Sequence, residues 1–103
     1  MIYTIGHAER YNKWLEQCKE EERPLEKRGR NDEYAGGSVW PTAEEAWKHI
    51  KNESPRLDEY SVYEVDANFE KDTVPSKNGN WNDLLVTSVI TREVAWKSLK
   101  KSS

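Results

Sequence analysis

The stretch Gly29-Arg-Asn-Asp-Glu-Tyr-Ala-Gly-Gly-Ser-Val-Trp-Pro-Thr-Ala-Glu-Glu-Ala-Trp-Lys-His-Ile50 decides the fold. It opens as a polar, glycine-bearing loop, passes through a short apolar segment at Ser38–Trp40, and becomes a helix whose start is written in the side chains. Thr42 is the expected N-cap: its hydroxyl accepts from the Glu45 backbone N–H while the Glu45 carboxylate reaches back to the Thr42 N–H, the capping-box arrangement. Ala43, Ala46, Trp47 and Ile50 then recur at three- and four-residue spacings. One face of this helix is therefore apolar and must be covered by the rest of the chain.

Upstream, residues 2–5 are β-branched and aromatic and end at Gly6, which predicts a short first strand and a turn. From Ala8 to Lys19, residues Tyr11, Trp14, Leu15 and Cys18 fall on one stripe of an amphipathic helix. Arg23-Pro24 breaks that helix, because proline disfavours the helical conformation in the residue before it. The run to Gly37 reads as a long connection, basic at Lys27, Arg28 and Arg30 and anchored by Tyr34. Downstream, Asn52-Glu-Ser-Pro55 stops the second helix, and the strand from Tyr60 to Ala67 has its more apolar face at Ser61, Tyr63, Val65 and Ala67. Residues 72–83 form a second loop with Pro75, the Asn78-Gly79-Asn80 turn signal and Trp81. The unbroken run from Leu84 to Thr91 predicts a central strand covered on both faces.

These elements predict one α+β domain over residues 1–103: a small mixed β-sheet from residues 2–5, 38–40, 60–67 and 84–91, packed against two amphipathic helices. Residues 92–103 read as a short C-terminal helix or a frayed tail. The passage from Ser38 to Ala67 is long enough for a right-handed parallel crossover. A chain of 103 residues split in two would leave pieces too small to bury a core. With 35% hydrophobic and 34% charged residues, five Trp and five Tyr must supply much of that core.

The net charge of −3 is spread over interspersed signs, so neither a nucleic-acid footprint nor an acidic mimic of one is present. Cys18 stands alone, which excludes an intramolecular disulfide and a cysteine-based zinc cage. The start of the chain has no signal-peptide pattern and no stretch approaches membrane-spanning length, so a cytoplasmic protein without membrane contact is expected.

No complete catalytic signature appears. His7, after a strand and a glycine at a helix entrance, suits acid–base work or anion binding, but a helix cap or a hydrogen bond to a neighbouring loop is the simpler reading. Gly36-Gly37-Ser38 lets a backbone approach a phosphate or carboxylate with Arg28 and Arg30 as charge partners, but matches neither the phosphate-loop nor the dinucleotide fingerprint. A tight turn that delivers Val39 and Trp40 to the core explains the same residues. Asp66, Asn68, Glu70 and Asp72 offer oxygen ligands without meeting a cation-loop template, so no metal is expected and solvated charges account for them. His49 reads as a boundary residue, Cys18 as core, and Trp81, in a polar loop, as the tryptophan best placed for a binding surface.

Tyr3-Thr-Ile-Gly-His7, Gly29-Arg30 with Tyr34, Gly36-Gly-Ser-Val-Trp40 leading into Thr42 and Glu44-Glu45-Ala46, Tyr60 to Val65, Asp72-Thr73 with Pro75, and Trp81 with Asp83-Leu-Leu-Val86 together resemble a small single-domain family of bacteria and their phages. The resemblance spans nearly the whole chain and implies no activity, cofactor or site. Two functional expectations follow from the residues. The first is a non-catalytic protein-binding or regulatory module that docks through Arg28, Arg30, Tyr34 and Trp81, residue types that anchor interfaces. The alternative is a binder or enzyme of a small anionic, nucleotide-like ligand enclosed by His7, Arg30, Tyr34, Gly36, Gly37 and Ser38. No cofactor is expected in either.

Overall fold

The computed structural model describes residues 1–30, 37–53, 59–77 and 79–95. Among them the elements run β1 (Ile2–His7), α1 (Ala8–Glu20), β2 (Leu25–Lys27), β3 (Ser38–Trp40), α2 (Ala43–Glu53), β4 (Tyr60–Asp66), α3 (Phe69–Asp72), β5 (Thr73–Pro75), β6 (Asn82–Leu84) and β7 (Ser88–Val94). The strands form one seven-stranded sheet in the order β2-β7-β4-β1-β3-β6-β5, and every neighbouring pair is antiparallel. The sheet is α+β in character but not mixed. β3 and β4 do run parallel to each other, yet β1 lies between them, so the crossover through α2 steps over a strand instead of joining neighbours. Periodicity in the sequence identifies faces and is silent about which strands adjoin.

β1 continues past the expected end at Ile5, because the ladder with β4 runs on through Gly6↔Ser61 and His7↔Tyr60. Its alternation serves two cores. Ile2 joins Val39, Tyr63, Val65, Leu84 and Ile90 in one buried cluster, while Tyr3 and Ile5 pack on the other, built from Trp40, Ala46, Trp47, Ile50, Val62 and Val94. α2 covers this second face through Ala43, Ala46, Trp47 and Ile50, the stripe its spacing predicts. Its cap is half of the expected box: Glu45 N–H donates to Thr42 Oγ1 at 3.2 Å.

Towards the other face the sheet curls. Leu25 of the outer strand β2 packs on the same cluster as Leu84 of β6, though four strands separate them in the sheet order. Two hydrogen bonds hold the curl: Arg30 N–H donates to Leu84 O at 2.7 Å, and Gly29 N–H to the Thr87 hydroxyl Oγ1 at 3.3 Å.

α1 contributes less than its stripe suggests. Cys18 is its buried residue, Tyr11 and Leu15 are half-buried against the curled cluster, and Trp14 is 41% exposed. The helix ends with Glu22 at φ 53°, Glu22 N–H bonding Lys19 O and Arg23 N–H bonding Cys18 O. This is a Schellman stop made without the usual glycine, and it turns the chain into β2, a strand hidden in the sequence by its three-residue length and charged neighbours.

The run from Leu84 to Thr91 is not one strand. β6 ends at Leu84 and β7 starts at Ser88, with Leu85 N–H donating to Asp72 O at 2.7 Å and Ser88 Oγ to Val86 O at 3.0 Å between them. No glycine or proline marks this break, which rests on partners far away in sequence. β7 pairs Val65 with Ile90 but Glu64 with Arg92, so Thr91 is bulged. The bulge reverses which face each residue meets, and it sends Ile90 into the curled cluster and Val94 to the α2 side, although both are even-numbered. Glu64 pins it, accepting from Thr91 Oγ1 at 2.6 Å and Arg92 Nη2 at 3.1 Å. Residues 92–94 thus belong to a strand rather than a terminal helix, and residues 96–103 lie outside the described residues.

Tyr63 sits fully buried in the curl, its hydroxyl donating to Asn12 Oδ1 at 2.8 Å. Burial, the negative charge of Glu93 and the neighbouring Tyr11 push its ionisation well above the ordinary tyrosine range. An unfolded tyrosine loses its proton near pH 10, so above that value the unfolded chain binds fewer protons than the native one and stability falls as pH rises. Tyr63→Phe is expected to flatten the fall in thermal midpoint between about pH 10 and pH 12. An equally steep fall in the variant would assign the alkaline sensitivity to other groups.

Candidate functional site

At one end of the sheet, β1 finishes at His7 and β3 begins after Gly37, because the two strands are antiparallel neighbours with Thr4 opposite Val39. His7 and Ser38 therefore open at the same end, and Thr4 Oγ1 secures the junction by donating to Ser38 O at 2.8 Å. Leu84 brings in the remaining loop: its N–H donates to Gly37 O at 3.1 Å, and its carbonyl accepts from Arg30 N–H. Arg30 is thus held beside β6, two strands away from β1. Tyr34 and Gly36 lie outside the described residues.

His7 is half-buried, edge-on to Tyr60 with ring centroids 5.6 Å apart, and makes no side-chain bond to cap α1. The first free N–H of that helix, on Ala8, is met by Glu59 O at 2.9 Å instead. The Nδ1 atom of His7 is buried without a partner among the described residues. Gly37 is less open than the glycine pair suggests, since the Lys27 side chain lies across it.

Trp81 and Arg28, both expected on a docking surface, meet different neighbours. Trp81 is half-buried against the α2-side cluster, with its ring 5.3 Å from His49 and 6.3 Å from Trp40. Arg28 lies instead on the α1 side, where it lines a cavity of about 170 Å³ with Tyr11, Trp14, Leu25 and Lys27. Next to it, and sharing Leu25 and Ile90, is a larger, mostly apolar cavity of about 410 Å³ between α1 and β2, walled by Leu15, Cys18, Pro24 and Thr91. A third, of about 260 Å³, lies on the α2 side between Trp40, His49 and Asn80.

Asn68 and Asp72, read as oxygen ligands, cap α3 instead. Asn68 Oδ1 accepts from the Glu70 and Lys71 N–H groups at 2.9 and 3.0 Å, and Asp72 Oδ2 accepts from Asn68 N–H at 2.8 Å. Among the described residues no group of three His, Cys, Asp or Glu side chains is gathered to hold a metal ion, and no helix is long and apolar enough to cross a membrane.

Two features escape a reading by motif. Trp14 shares the apolar stripe of α1 with Tyr11, Leu15 and Cys18, yet it is the exposed member of that stripe. Glu45, Lys48, His49 and Asn52 recur at three- and four-residue spacings, a second stripe beside the apolar one on α2 that could have been found by the same periodicity. No protein-family model, curated protein or solved structure matches this chain.

Proposed function

We propose that the chain is a non-catalytic protein-binding module that takes an extended, acidic segment of a partner along β2. The observation that supports this reading most is Trp14, an exposed indole that lines the smaller cavity beside an outer strand. Among the described residues no strand pairs with the outer side of β2, the side on which an added strand would pair. Trp14, Tyr11 and Leu25 supply the aromatic and apolar anchors that dominate interface energies. The two cavities are lined by Lys19, Arg23, Lys27 and Arg28 against Glu16 and Glu26, and because Arg23 is paired with Glu21 the local balance is one positive charge on a chain of net charge −3. That local sign selects an acidic partner.

The resemblance to a bacterial and phage family makes a bacterial protein the partner to seek. Retention from a bacterial lysate by the immobilised chain is expected to fall with added salt, to be lost in Trp14→Ala and Lys27→Glu, and to persist in Trp81→Ala. Equal retention by Trp14→Ala would remove the proposal. A small anionic ligand at His7, Gly37 and Ser38 is the second reading, supported by the orphaned His7 Nδ1 and weakened by the Lys27 stem over Gly37.

A further inference from the structure

The 260 Å³ cavity on the α2 side has a wall and a rim of different chemistry. His49 forms the wall together with the edge of Trp40, an indole only 6% exposed, and their rings lie 4.9 Å apart at 40°. Trp81 meets His49 edge-on from another side, at 74°. The imidazole therefore packs against two indoles that also touch each other, their centroids 6.3 Å apart, in an orientation that needs no further ordering when a flat ring comes to rest on it. Around the rim stand Glu45, Lys48 and Asn52 from α2 and Asn80 from the loop before β6, all exposed. Among the described residues none of these four side chains is engaged in a hydrogen bond or ion pair.

That rim excludes simple occupants. A hydrocarbon ring would strand two carboxamides, a carboxylate and an ammonium in the contact. A bare anion meets Glu45, and a bare cation meets Lys48. A neutral planar heterocycle with donors and acceptors side by side along its edge satisfies all four, because each asparagine carboxamide presents one donor pair and one acceptor in the same plane. The volume lies just below the roughly 300–1,000 Å³ of pockets for drug-sized ligands, which suits one base with its sugar and not a dinucleotide.

We propose that this cavity binds a nucleobase, stacked on His49 and read along its edge by Asn52 and Asn80. Neither the docking surface at Trp14 nor its partner enters this proposal. A free nucleoside or nucleotide and the unpaired base of a single strand share this chemistry, and the probes separate them.

The test is a titration of the full chain, followed through tryptophan indole N–H resonances, with the four ribonucleosides, their 5′-monophosphates and a short single-stranded RNA. Saturable shifts of the Trp81 indole, with the Trp14 indole unmoved, are expected with at least one probe. Binding by a free nucleoside or nucleotide identifies a small-molecule ligand, and binding by the RNA alone identifies a strand. Asn52→Ala and Asn80→Ala, both at exposed positions that leave the fold intact, should each weaken binding about tenfold, as for a lost hydrogen bond that leaves its partner unpaired. The proposal is overturned if no probe moves the Trp81 indole, or if both variants bind as tightly as the wild type.

Discussion

Replacing Trp47 by alanine is expected to lower the unfolding free energy by about 3–5 kcal/mol, the range for a large aromatic removed from a core. The side chain is 4% exposed and fills the space between α2 and the sheet beside Trp40, Ile50, Val62 and Val94. Its indole Nε1–H also donates to Val94 O at 2.9 Å, so truncation leaves a cavity and a buried carbonyl without that donor. Small domains have only about 5–15 kcal/mol to lose, and the variant should unfold at a markedly lower urea concentration. Trp47→Phe separates the two effects: it keeps most of the packing, and its loss should fall to about 1–3 kcal/mol, the cost of an unmet buried acceptor. An unchanged urea midpoint in Trp47→Ala would mean that α2 does not bury this face.

The second large effect is expected at Gly29. A Cβ built there would lie 2.4 Å from the carbonyl carbon of Val86 and 2.6 Å from its Cα and N. These are backbone atoms, and no side-chain rotation can clear them. Gly29→Ala must therefore push residues 28–30 away from residues 84–87, against the bonds from Gly29 to Thr87 and from Arg30 to Leu84. The expected loss is about 2–3 kcal/mol, towards the upper end for an overfilled site. Its signature is local: the Arg30 amide, protected in the wild type, should exchange rapidly with solvent while the α2 amides stay slow. Wild-type stability in Gly29→Ala would show that the chain does not pass so close to Val86.

The sequence by itself determined what depends on neighbours along the chain. Thr42 with Glu45 announces the start of α2, the spacing of Ala43, Ala46, Trp47 and Ile50 announces its buried face, β-branched and aromatic residues mark β1, and alternation marks β4. Each of these signals is local, because a helix repeats every 3.6 residues and a strand every two whatever lies opposite. His7 and Ser38 were legible as residues at element ends for the same reason.

Tertiary structure alone decided who adjoins whom. The three-residue strands β2, β5 and β6 have too few positions to show a period, and they exist because β7, β6 and β3 respectively offer paired backbone groups. The break between Leu84 and Ser88 and the bulge at Thr91 depend on Asp72, Gly29 and Glu64, all distant in sequence. The same holds for the candidate site, where Trp81 turns inward because Trp40 and His49 give its ring a surface, while Trp14 stays exposed although it shares the apolar stripe of α1. Composition can count aromatic side chains, but only contacts between remote segments choose which are buried.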